Sequence, residues 1–173
     1  MNVRRMARGA VIAALYAAVT LALAPFSFGP AQLRASEALT VLPVFFPEAP
    51  LGLFIGCAAA NFVGGYGVAD VVFGSLATLL AALCTRGLAR FPFLAPLPPV
   101  VLNGVVVGYV LHAATGIPWL ALALEVGAGE LASCYCLGLP LLFALKRIDA
   151  HYSRSGVDSG TSPESNPPAP GGR

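Results

Sequence analysis

Glu130 and Asn103 are the residues with the most chemistry to offer, because both fall inside predicted apolar membrane helices. An ionisable side chain within a membrane costs a few kcal/mol even on lenient scales, so it needs a partner or a purpose. Glu130 falls about eleven residues into a predicted helix that starts at Trp119, roughly 16 Å along its axis. Gly127 and Gly129 flank it and would let a ligand or another backbone come close. It is the first candidate for a ligand contact; the plainer reading is a structural carboxylate bonded to a neighbouring helix. Glu125, five residues earlier, lies about 140° around the same helix and does not share that face. Asn103 donates and accepts hydrogen bonds at once, which suits an amide-like or purine edge. Beside Gly104 and Gly108 it serves equally well as a polar bond between helices.

A second group lies near predicted helix ends. Arg34 and Glu37 are three residues apart, close enough to pair with each other, or for Arg34 to grip a ligand. Asn61 precedes a Gly64–Gly67 loop, where helix capping competes with ligand contact. Asp70 follows that loop, with an N-cap role the plainer expectation. Tyr66, within the loop, could stack on a planar ligand, while Trp119 and His112 suit a membrane boundary. The four cysteines, Cys57, Cys84, Cys134 and Cys136, sit in apolar segments without a CxxC pair and read as small buried hydrophobes. Ala10, Ala14 and Ala18 recur every fourth residue, with Gly9, Ala13 and Ala17 beside them, and would let another helix dock closely.

No HExxH, GxSxG or Walker loop is present, and no cluster of metal ligands, so the chain reads as no enzyme and as binding no cofactor. Any ATP that drives it is bound by another chain. A net charge of +2 does not suggest a nucleic-acid partner.

The elements that must position these residues follow from composition. Only 10% of the residues are charged and 57% are hydrophobic, against about 25% charged in a soluble domain. Membrane lipid is the expected solvent. A crossing helix needs roughly 20 apolar residues, which gives an all-α protein of six short spans within residues 1–150. Helices are predicted over residues 9–24, from 36 with breaks at Pro43 and Pro47, and over 51–63, 70–85, 98–115 and 119–145. Pro50 suits the first turn of the third. Residues 151–173 are rich in Ser, Gly and Pro and read as a disordered cytoplasmic tail. The first span has the basic start and Ala22-Leu23-Ala24 of a signal peptide, but Pro25 and the spans that follow favour its retention. With six spans and a cytoplasmic start, the inside segments hold Arg4, Arg5, Arg8, Arg86, Arg90, Lys146, Arg147, Arg154 and Arg173, and the outside segments only Arg34. That asymmetry places both termini in the cytoplasm.

Six stretches together resemble one family: residues 14–18 (ALYAA), 25–39 (PFSFGPAQLRASEAL), 55–61 (IGCAAAN), 70–78 (DVVFGSLAT), Asn103-Gly104 and Gly129-Glu130. They are similar to the queuosine-precursor transporter (QueT) family, over about residues 9–145. The resemblance implies a substrate-capture (S) component of an energy-coupling factor (ECF) transporter in a bacterial cytoplasmic membrane, with a six-transmembrane-helix S-component bundle. It implies uptake of a 7-deazaguanine such as prequeuosine. The partners it implies are a transmembrane coupling subunit, met by Ala10, Ala14 and Ala18, and two ATPase subunits that use ATP. Residues 27–34 would form a lid. Glu130, or else Glu37, would accept the ring N–H and amino group together. Asn103 and Asn61 would read the remaining polar edge, and Gln32 or Arg34 the carbonyl. Asp70 or Glu125 would meet an aminomethyl cation. The competing reading is a stand-alone, ion-driven secondary carrier for another small metabolite or vitamin; such carriers usually carry internal repeats, and none is visible.

Overall fold

The computed structural model describes residues 2–29, 32–64 and 67–158, with side chains described as far as residue 151. The described residues are helical, with no strand among them. Helix α1 (Val3–Ala22) is followed by a single turn at Ala24–Ser27 and by a ten-residue 3₁₀ segment, Ala35–Val44. Then come α2 (Ala49–Gly64), α3 (Ser75–Gly87), α4 (Leu97–Thr115), α5 (Trp119–Leu131) and α6 (Leu139–Asp158). Wide π-type turns precede α3 at Asp70–Gly74 and join α5 to α6 at Ala132–Gly138. Met1–Leu142 form one compact unit; from Phe143 the chain belongs to a second, whose described part is the rest of α6.

Four helical stretches are long and apolar enough to cross a membrane: Val3–Ala22, Asp70–Gly87, Leu97–Thr115 and Trp119–His151. Ala35–Val44 and Ala49–Gly64 are apolar but shorter. Against six expected short spans, four helical stretches are thus long and apolar enough to cross, and two apolar helices are shorter. Three boundaries also differ from expectation. Helix α1 starts six residues early, because its first turns carry Arg4, Arg5 and Arg8 and look like a charged flank. Pro43 does not break the second segment. A 3₁₀ helix accepts the proline φ near −65°, and its tighter turn avoids the clash with the carbonyl four residues back. Helix α6 continues to Asp158, into the expected tail, and the residues beyond lie outside the described ones.

Packing follows small residues. Gly52 and Gly56 of α2 lie so close to α1 that a β-carbon on either would come within 2.6 Å of a backbone oxygen, of Gly9 and Ala13 respectively. Ile12, Tyr16 and Thr20 form the buried stripe of α1 at one-turn spacing. Gly108 of α4 is pressed against Ala123 of α5 in the same way, above a cluster of Val107, Leu111, Leu122 and Val126. Gly116, at φ 75°, closes α4 with its N–H on the His112 carbonyl. The 3₁₀ segment packs against α1, α2, α3 and the turns after α5, so its seven buried residues lie in the middle of the unit. At the end where α1 begins, Arg8 pairs with Glu48 at 3.0 Å and lies over Phe46.

Candidate functional site

The buried polar residues of this unit gather where the 3₁₀ segment meets the helices. Gln32, Arg34, Glu37, Asn61, Asp70, Asn103 and Glu130 are all at most 2% exposed. Each arrives from a different local device. Glu37 is held in the first turn of the 3₁₀ segment, and Arg34 just precedes it. Asp70 opens the wide turn before α3. Glu130 ends the inner stripe of α5, which runs Leu122, Val126, Gly129, Glu130, immediately before the second wide turn. Such widened turns recur at functional sites because they re-aim side chains out of the regular helical spacing.

Glu130 accepts a hydrogen bond from Asn103 Nδ2 at 3.0 Å, and the Cys134 thiol lies 3.8 Å from its other oxygen. Cys134 is equally near the Glu37 carbonyl, which joins the two acids into one cluster. The Tyr16 hydroxyl donates to Glu37 Oε1. Thr20 and Ser36 share a 2.6 Å bond that ties α1 to the same segment. Arg34 pairs with Asp70 at 3.7 Å, and its guanidinium lies over the Phe28 ring at 5.4 Å. Phe28 also covers the end of α2, where a β-carbon on Gly64 would meet its ring at 2.5 Å. Residues 27–29 and 32–34 therefore fold back over the cluster. Gln32 does so with φ 41°, a backbone region that costs a non-glycine residue about 1–3 kcal/mol unless its surroundings impose it.

Several expectations change on this geometry. Asp70 makes no capping bond; it faces Arg34. Asn61 lies a turn inside α2 and donates to the Asp70 carbonyl at 3.1 Å, holding α3 to α2 instead of ending a helix. Arg34 and Glu37 bond to Asp70 and Tyr16, not to each other. Glu125 is exposed, on the opposite face of α5 from Glu130, and is not brought to the cluster. Tyr66 lies outside the described residues. Cys57 and Cys134 are buried among polar groups, whereas Cys84 and Cys136 are exposed, so no single reading covers the four. Ala10, Ala14 and Ala18 form an exposed stripe on α1, while the parallel stripe Gly9, Ala13, Ala17 is the one half-buried. Trp119, at the start of α5, donates to the Val105 carbonyl at 3.2 Å.

Sequence reading missed Tyr16, Cys57, Cys134 and Glu48. Tyr16 had a signal: it is the one aromatic residue of α1 and the bulky polar member of the Ile12, Tyr16, Thr20 stripe. The cysteines had none.

The cluster holds three carboxylates, Glu37, Asp70 and Glu130, around one guanidinium, Arg34. Glu130 lies within electrostatic reach of both Glu37 and Arg34. Many of its buried polar atoms have no hydrogen-bond partner among the described residues. The acceptors are Glu37 Oε2, Asn61 Oδ1, both Asp70 oxygens and Asn103 Oδ1, and the donors are Gln32 Nε2 and Arg34 Nε and Nη2. Burying such atoms unmatched costs about 1–3 kcal/mol each. Their concentration in one place, with acceptors in excess, makes this cluster the candidate site.

A family model described as the QueT transporter matches residues 6–147. The queuosine precursor transporter QueT of Lactococcus lactis subsp. cremoris (strain MG1363) is 38% identical over 73 residues, 41% of this chain and 43% of that relative. The chain thus aligns with less than half the length of that relative. No solved structure gives a significant match.

Proposed function

Because the chain belongs to the QueT transporter family, a family of transporters and not of enzymes, we propose that it captures a queuosine precursor, 7-aminomethyl-7-deazaguanine, as the substrate-binding subunit of an ECF-type importer. The observation that carries this reading is the set of unmatched buried atoms, with acceptors outnumbering donors around three acids and one base. A deazaguanine ring offers a ring N–H and an amino group side by side, a pyrrole N–H, one carbonyl, and an ammonium on its aminomethyl arm. Glu130, seated by Asn103, takes the first two. The Asn103 and Asn61 oxygens read the rest of the polar edge, and Arg34 or Gln32 takes the carbonyl. The ammonium goes to the remaining acids, Glu37 and Asp70, whose negative charge exceeds what Arg34 neutralises. Residues 27–34 act as the lid.

In this proposal the chain crosses a bacterial cytoplasmic membrane six times with both ends in the cytoplasm, the tail beyond Asp158 included. The two short apolar segments support six crossings. Ten 3₁₀ residues at about 2.0 Å each reach ~20 Å, and sixteen α-helical residues reach ~24 Å. They fall short of a hydrocarbon core of about 30 Å by roughly 10 and 6 Å, a mismatch that local thinning of the bilayer takes up. ATP is used by two partner ATPase subunits, and a coupling subunit docks on the Ala10, Ala14, Ala18 stripe.

Titration of the purified full-length protein in detergent tests the reading. The aminomethyl base is expected to bind at least about tenfold more tightly than its neutral 7-cyano counterpart or guanine, since one ammonium–carboxylate contact is worth roughly 1.5 kcal/mol or more. Equal binding of all three, or none of the aminomethyl base, overturns it. The docking assignment has its own check. Ala14 is exposed, so Ala14→Trp is expected to leave ligand affinity within about twofold while abolishing co-purification with the coupling subunit. Loss of ligand binding with intact assembly reverses that division of labour.

A further inference from the structure

Cys57 is fully buried on the inner face of α2, and three polar side chains meet at its sulfur. Arg34 Nη1 approaches to 4.0 Å, Asn61 Nδ2 to 3.6 Å and Thr78 Oγ1 to 3.4 Å. Arg34 and Asn61 can only donate through these nitrogens, so the sulfur accepts from both. Thr78 has one hydroxyl hydrogen for two acceptors, the sulfur and the Gly74 carbonyl at 3.1 Å. Asn61 has two amide hydrogens: one goes to the Asp70 carbonyl and the other to the sulfur. A cysteine serving only as a small apolar filler would not sit where groups from the lid end, α2 and α3 converge.

The same contacts leave specific atoms available. With Nη1 on the sulfur and Nη2 held toward Asp70 at 3.7 Å, neither Nη2 nor Nε has a hydrogen-bond partner among the described residues, and Nε is the one with no ion-pair contact either. With both amide hydrogens of Asn61 engaged, its Oδ1 is the atom without one. A donor on Arg34 and an acceptor on Asn61, both fixed to one sulfur, suit a carbonyl and an adjacent N–H on a planar heterocycle.

We propose that Cys57 is a positioning residue for ligand recognition: its thiol sets the Arg34 guanidinium and the Asn61 amide so that they present this donor–acceptor pair to an amide-like ring edge. The inference rests on the cluster being the ligand site, and it adds a residue that touches the ligand only through two others.

The test uses the full-length protein in detergent titrated with 7-aminomethyl-7-deazaguanine. Cys57→Ala, which deletes the acceptor, is expected to weaken binding about tenfold, the loss of one hydrogen bond to a charged group. Cys57→Ser, which keeps one donor and two lone pairs, is expected to stay within about threefold of the native protein. If the alanine variant is not monodisperse, Cys57→Val fills the volume without polar atoms and carries the same expectation as alanine. In an Arg34→Lys background the cost of Cys57→Ala is expected to fall below about twofold, because the guanidinium it orients is gone. Native-like binding by the alanine variant, a serine variant as weak as alanine, or an undiminished cost in the lysine background overturns the positioning role. Failure of the native protein to bind the base would instead overturn the proposed function along with it.

Discussion

Glu130→Gln is expected to lower affinity for 7-aminomethyl-7-deazaguanine by on the order of 100-fold, with little change in thermal stability. The side chain is 2% exposed and already accepts from Asn103 at 3.0 Å. An ionised carboxylate has about four acceptor sites, so two remain after Asn103 and Cys134 are served. A ring N–H and its neighbouring amino group can use both. The amide in Gln keeps the bond from Asn103 if its oxygen faces that way. It then turns an NH₂ toward the two ligand donors, replacing attraction with opposition. Two charge-assisted hydrogen bonds at about 1.5 kcal/mol each amount to roughly 3 kcal/mol, hence the hundredfold figure. Calorimetric titration alongside a melting curve separates the effects. Affinity within about threefold of native would remove Glu130 from the ring contact. Glu125→Gln, on the exposed face of the same helix, controls for the loss of one negative charge and is expected to change affinity by less than about twofold.

The sequence already separated these two acids, because helical spacing alone puts them about 140° apart. Glycines at 104, 108 and 127 marked close approach on the helices that carry Asn103 and Glu130, without saying which helix meets which. The long spans were legible for the same reason: uncharged runs admit few readings in a chain this apolar. What sequence reading could not supply was the identity of each partner. Arg34 and Glu37 are near in sequence and were natural partners for each other. The 3₁₀ segment instead turns Glu37 toward Tyr16 on α1, and Arg34 reaches across to Asp70. Nothing in a 3.6-residue period anticipates a ten-residue 3₁₀ run, because its stability comes from burial on several sides and not from local preference. The wide turns at Asp70 and after Glu130 were invisible for the same reason. Cys57 shows the limit most clearly. Its role is created by Arg34, Asn61 and Thr78 arriving from elsewhere, and composition around position 57 says only that the helix is apolar.

Gly56→Ala is expected to damage the protein more than any other one-carbon change in α2. A β-carbon at Gly56 would lie 2.6 Å from the Ala13 carbonyl oxygen and 2.9 Å from Tyr16 Cβ. Neither atom is the end of a flexible side chain, so α1 itself must move away. Overpacking of this kind costs typically 1–3 kcal/mol, and between membrane helices no hydrophobic force pulls the pair back together. The displacement falls on Tyr16, which draws its hydroxyl away from Glu37 and leaves that carboxylate buried without its donor. Two readouts should therefore move together: a lower melting temperature, and ligand affinity reduced by about tenfold, the cost of one charge-assisted bond. Gly87→Ala, at the end of α3 with nothing within 4 Å of the added carbon, is the matched control. It is expected to be neutral or to stabilise by up to ~1 kcal/mol, because alanine is the better helix former. A Gly56 variant that melts lower but binds normally would show that Tyr16 is not needed to hold Glu37. One that does neither would show that α1 and α2 do not approach this closely in the membrane.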